Sequence, residues 1–328
     1  MIRFWGSLLM LLSALLVLSL ALGAYQMPPC NWLAALIGQG DPVDRAVLWH
    51  IRLPRSMLAV LVGAGLGASG AALQGLLRNP LADPAVVGIS SSASFMAALA
   101  IYTGLATTQP ASIFIGAMLG AGFAAVFLLA LSYAKASATS LILGGVALSA
   151  LATSFTALLM NISPNPWALS EIAYWLMGSV ADRSFADVVL LAPLVLMGIL
   201  LLMRGARGLD VLTLGEETAA VSGFPLVHTG RWVVLGTMLC VGGGVAVAGA
   251  VGFVGLAAPH LVRPFLGHQP GRLILPSALV GGMLLLVADM VSRGLSGPGT
   301  PLYLGVVTAL LGAPLFLILV FKSQKERV

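Results

Sequence analysis

The sequence predicts an all-α membrane protein, a polytopic bundle of about ten transmembrane helices in one transmembrane domain covering residues 1–328. Three observations predict it. The 328 residues are 59% hydrophobic and 8% charged, against about 45–50% and roughly 25% in soluble domains. The apolar runs are continuous rather than alternating, which excludes a transmembrane β-barrel. Each run is long enough to cross a ~30 Å hydrocarbon core as a helix, which satisfies its own backbone hydrogen bonds.

The runs place spans at 4–25, 56–76, 88–106, 111–133, 139–160, 186–204, 230–249, 273–292 and 302–321. The first is longer than a signal-peptide core and is read as a retained span behind Arg3. A tenth, shorter span is expected within 249–266, "GAVGFVGLAAPHLVRPFL". Charge supports it. With ten spans and a cytoplasmic N-terminus, only Arg45, Arg52, Arg55, Arg183 and Arg293 of the 16 basic residues lie outside. That obeys the positive-inside rule, and omitting the short span reverses the bias. The net charge of +5 is therefore an orientation signal for a lipid bilayer, and it needs no nucleic-acid partner.

Two outer segments are not spans. Residues 26–54, with Pro28, Pro29 and "GQGDPVDR", read as a loop with one surface helix. Residues 161–185 contain "EIAYWLMG", too short to cross, with Trp167, Tyr174 and Trp175 suited to headgroup depth. Glycine clusters within spans, as in "GAGLGASGAA" (63–72) and "GGGVAVAGAVG" (242–252), where small residues four apart let helix backbones approach closely.

Catalytic chemistry finds no support. "GASG" at Gly67–Gly70 matches an intramembrane serine-protease pattern, but none of the four histidines falls deep in a long span to act as base, so Ser69 reads as packing. None of Lys135, Lys322 and Lys325 follows a glycine, so there is no phosphate-binding Gly-Lys-Ser/Thr loop. Cys30, in a loop, and Cys240, in a span, make neither a disulfide framework nor a metal site. Asp289 is an acidic residue within a long span. It has Arg293 four residues on as an ion-pair partner, and secondary transporters usually carry more intramembrane charge than that.

The stretch "LTLGEETAAVSGFP" (Leu212 to Pro225), between the sixth and seventh long runs, stands apart. Thr213 and Glu216 have capping-box spacing. Glu216 and Glu217 would sit in the first turn, where the helix dipole favours them. Gly223 and Pro225 end the element. A nine-residue helix over 214–222, about 13 Å long, is expected. So short a helix is marginal alone and needs a partner surface.

"RLPR" (52–55), "LVGAGLGASGAALQGLLRNPLADP" (61–84), "GFVGLAAPHLVR" (252–263), "LPSALVGG" (275–282) and "LGVVTALLGAPLFLILV" (304–320) resemble the FecCD-type permeases, membrane subunits of ABC importers for iron-siderophore complexes, haem and cobalamin. The resemblance covers nearly the whole chain in order, the first span and its loop in character only. It implies a ten-helix fold paired with a second permease, identical or paralogous. It implies two cytoplasmic ATPase subunits carrying the ATP and Mg, and a periplasmic substrate-binding protein. By the same resemblance Leu214, Gly215, Glu216, Glu217, Ala219, Ala220 and Gly223, within a cytoplasmic segment of about 205–229, would couple to the ATPase. Arg52, Arg55 and Arg293 would receive glutamates of the binding protein. The fifth and tenth spans would line the path, with Ser149, Thr153, Ser154 and Thr156 as candidate lining groups, unless they bond back to their own helix. One departure is noted: where the family often has Glu-Leu-Pro before the last span, this chain reads "GPGTPLYLG" (297–305), with Thr300 and no carboxylate.

Overall fold

The computed structural model describes residues 2–23, 25, 27–134, 137–163, 165–297 and 302–325. Among them there is no β-strand. Fifteen α-helices run in order: α1 (Ile2–Ala21), α2 (Pro29–Leu36), α3 (Pro42–Ala46), α4 (Leu53–Leu76), α5 (Ile89–Tyr102), α6 (Leu105–Thr108), α7 (Ala111–Tyr133), α8 (Ala138–Asn161), α9 (Pro166–Met177), α10 (Phe185–Leu212), α11 (Glu216–Val221), α12 (Leu226–Ala248), α13 (Val254–Leu266), α14 (Pro270–Leu295) and α15 (Leu304–Lys325). Seven helical stretches are long and apolar enough to cross a membrane: α1 from Arg3, the run Pro42–Leu76, α7, α8, α10, α12 and α14. With α5, α13 and α15 they account for all ten predicted spans.

Three boundaries differ from expectation. The third span is only 14 residues long as α5, ~21 Å of helix, because Thr103–Gly104 breaks the chain before α6. Gly104 takes a φ of +73° there. The sixth is longer, 28 residues. It runs past Arg204, Arg207 and Asp210, and it starts from a capping box in which Asp187 accepts from the Ser184 N–H at 2.8 Å. The segment before α4 is more than a loop with one helix. It holds α2 and α3, and buried Asp44 accepts from Tyr25 Oη at 2.9 Å and Asn31 Nδ2 at 2.7 Å. A π turn, Val47–Arg52, then joins α3 to α4, with the Leu53 N–H bonded to the carbonyl of Leu48.

α4 is the axis of the bundle. Every residue from Gly65 to Leu77 is buried, and α10, α12, α13 and α14 surround it. Lipid offers no hydrophobic drive between helices, so close backbone contact does the holding. A β-carbon at Gly63 or Gly67 would overlap the carbonyls of Gly281 and Ser277 on α14, and one at Gly70 would overlap that of Gly255 on α13. The "GASG" glycines are thus contact surface, and Ser69 is fully buried among them. By contrast α1 and α8 bury little of themselves.

Candidate functional site

The α11 segment is built by three backbone decisions. α10 ends when the Thr213 hydroxyl donates to the carbonyl of Asp210 at 2.6 Å. Gly215, with φ +110°, reverses the chain, and Gly223, with φ +84°, ends α11. The Phe224 N–H then returns to Ala219 O at 2.8 Å, and Pro225 leads into α12. The stop at Gly223 is as expected. The capping box is not: Gly215 occupies the N-cap position and Thr213 is used by the preceding helix. The helix is consequently six residues rather than nine. Glu216, freed from capping, makes an ion pair with Arg78 in the turn after α4. Of the segment's other residues, Ala219 is fully buried and anchors it. Glu217 and Ala220 are exposed, Leu214 is 69% and Val221 92% exposed. Two bare aliphatic side chains thus accompany an exposed carboxylate on this short segment.

The same end is braced from below. Asp210 Oδ1 accepts from the Gly271 N–H at 2.7 Å, a carboxylate at the positive end of α14. Arg263 on α13 donates to Gln74 Oε1 at 2.5 Å and to His260 Nε2 at 3.3 Å. His260 Nδ1 therefore carries the proton donated to Leu256 O, 2.8 Å away. In the turn between α4 and α5, Asp83 is buried with one oxygen accepting from the Ala85 N–H. Burial pushes its carboxyl up from 3.8 to about 6.

At the opposite end the three predicted docking arginines are gathered but turned inward. Asp289, 1% exposed, holds Arg55 at 2.8 Å as well as Arg293 at 2.9 Å. The i,i+4 pair expected from sequence is half of a triad. Arg293 also donates to the carbonyls of Ser19 and Leu22 and to Ser19 Oγ. Arg52, 3% exposed, donates to the carbonyls of Leu20, Ala21 and Tyr25. Two guanidiniums thus cap the C-terminal end of α1, where helix carbonyls lack partners. Arg52 as a free surface arginine is corrected by this burial. Arg55 keeps the most exposure of the trio, 20% of its side chain against 11% for Arg293.

The four candidate lining groups on α8 separate. Thr156 is buried and donates to Ala152 O at 2.8 Å, so it does not face a path in this conformation. Ser149 is tied to Ser91 Oγ at 2.8 Å and Ala85 O at 3.0 Å. Thr153 is exposed but bonds back to Ser149 O, and Ser154 is exposed. Thr300 lies outside the described residues. A feature missed in the sequence is a cleft of about 510 Å³ lined by Trp167, Glu171, Tyr174, Trp175, Arg183 and Tyr303. Tyr174 stacks on Tyr303 at 5.5 Å and Arg183 lies 5.2 Å over Trp175. The aromatics at the ends of α9 and α15 were its only sequence signal.

With that geometry in hand, the FecCD transport family pattern matches residues 11–322. The chain belongs to the FecCD transport family. It is 36% identical to the molybdate import permease MolB of Haemophilus influenzae over 99% of this chain and 96% of that one. It is equally identical to the Fe(3+)-citrate import permease YfmE of Bacillus subtilis, over 97% and 95%. An inward-facing metal-chelate type ABC transporter has a chain of the same fold, with a TM-score of 0.88, 33% identity and coverage of 98% and 100%. These relatives are membrane permease subunits.

Proposed function

We propose that this chain is the permease subunit of an ATP-binding-cassette importer that moves a metal chelate, of the iron-siderophore or haem type, inward across the bacterial inner membrane. Its termini and α11 lie in the cytoplasm. It works with a second permease subunit, two ATPase subunits that bind ATP and Mg, and a periplasmic substrate-binding protein, and it has no catalytic or metal site of its own. The observation that carries the reading is α11: a short helix fixed to α4 through Arg78, presenting Leu214, Glu217, Ala220 and Val221 between two long spans. Closure of an ATPase dimer on that surface would pull α10 and α12 together.

On the outer side, docking of the binding protein falls to Arg55, with Arg52 and Arg293 holding α1 in place beneath it. The path is assigned to the exposed face of α8, with Thr153 and Ser154, and to α15. The test is Glu217→Lys. ATPase subunits should no longer co-purify with the variant and uptake should fall to background. Normal co-purification with normal uptake would refute the coupling surface. Chelate uptake by the purified chain in liposomes without ATPase would instead establish a secondary transporter.

A further inference from the structure

We propose that the α11 end of the bundle carries a binding site for the phosphate of an anionic membrane lipid, built by Arg204 on α10 with Arg231 and Trp232 on α12. The Arg204 guanidinium carbon lies 4.9 Å from the centre of the Trp232 ring and that of Arg231 lies 4.6 Å from it. Two positive groups therefore share one indole. Among the described residues neither has a carboxylate within ion-pairing distance. Arg231 Nε is buried with no hydrogen-bond partner there. Each cation held beside the indole therefore lacks a carboxylate partner among the described residues, and an anion at this site would supply one. A guanidinium matches the oxygens of a phosphate in two-pronged geometry.

Depth and surroundings select a lipid over a soluble anion. Arg204 stands eight residues before the end of α10 and Arg231 five after the start of α12, so both sit about 8–12 Å from the helix ends. Above Arg204, the face of α10 is bare and apolar: Val189 is 71%, Leu196 59% and Leu200 61% exposed. Their spacings of seven and four keep them on one stripe. Arg207, exposed, continues that stripe, and Arg204 is offset from it toward α12. An acyl chain lying along the stripe would put its phosphate at the level of Arg204 and Arg231, with the indole at the headgroup boundary where tryptophan is favoured. Basic pockets between helices on the cytoplasmic side suit such headgroups. Because α10 and α12 are the two helices joined by α11, a bound lipid would bridge both roots of the coupling segment.

The experiment is native mass spectrometry of the purified full chain in detergent, titrated with dioleoyl phosphatidylglycerol, dioleoyl phosphatidylcholine or inorganic phosphate. The wild type should retain phosphatidylglycerol far better than phosphatidylcholine and lose it on raising the salt. Inorganic phosphate at equal excess should not displace it. The R204Q/R231Q variant should bind phosphatidylglycerol about thirtyfold more weakly, from about 1 kcal/mol per basic residue. R204K/R231K should recover part of the affinity. Equal retention of the two lipids by the wild type, or full retention by R204Q/R231Q, overturns the site. Displacement by inorganic phosphate overturns the lipid in favour of a soluble anion. None of these readouts needs transport, so they stand apart from the importer assignment.

Discussion

The two ends of the bundle treat their charges in opposite ways. At the Asp289 end, Arg55 and Arg293 are spent on one buried carboxylate, and Arg52 and Arg293 on the exposed carbonyls of α1. At the α11 end, Arg204 and Arg231 lie over an indole, Leu214 and Val221 are exposed, and buried Asp83 has no ion-pair partner among the described residues. One end is closed on itself. The other leaves its chemistry unfinished for something outside the chain. The difference teaches that a cationic surface inferred from sequence is a surface only if the fold supplies no internal anion.

The sharpest way to break this contrast is Asp289→Leu. It leaves two arginines in the interior without their partner, and removal of one member of a buried pair costs about 3–5 kcal/mol. We expect a large loss of thermal stability in detergent and release of α1 to protease. An unchanged melting temperature would mean that the Asp289 end is not closed. Asp83→Asn probes the converse case. The folded carboxyl is raised from 3.8 to about 6. Its contribution to stability is thus fully present below pH 4 and lost as pH rises through 6. The swing approaches about 3 kcal/mol at most. The wild type should lose stability between pH 4 and 7 relative to D83N, whose profile should be flatter. Parallel profiles would show that Asp83 is already matched.

Leu214→Asp with Val221→Asp tests whether the exposed aliphatics are a partner surface. Stability of the isolated chain should hold, while ATPase association weakens by about tenfold or more, equivalent to about 1.4 kcal/mol. Unaltered association in a pull-down would leave α11 as a mere connector. The smallest effect is expected from Glu216→Gln. Its pair with Arg78 is exposed, so the loss should stay below about 1 kcal/mol. A larger loss would make that pair part of the folded core.

The spans were legible because a membrane helix must be continuously apolar, which a sequence states directly. The stop at Gly223 was legible because it is local. What failed was either a competition or a long-range meeting. Thr213 has the right spacing to cap α11, but Asp210 O, the same three residues away on the other side, takes its hydroxyl and closes α10 instead. The end of α10 was misjudged because Arg204, Arg207 and Asp210 resemble a loop when polarity alone is read, whereas Asp210 belongs to α14 as its cap. Arg55 and Asp289 are 234 residues apart, and no periodicity announces such a pair. Asp44 with Tyr25 and Asn31 escaped notice because a small folded cap leaves the same composition as a loop.

The interlocked backbones of α4 and α14 have a kinematic consequence. Where Gly63 meets Gly281 and Gly67 meets Ser277, there is no slack for sliding or rolling, since any side chain there would already overlap. These two helices act as a stator. Whatever the chain does in a working cycle, the travel falls to more thinly packed elements such as α8, and the fixed pair gives that travel a frame to push against.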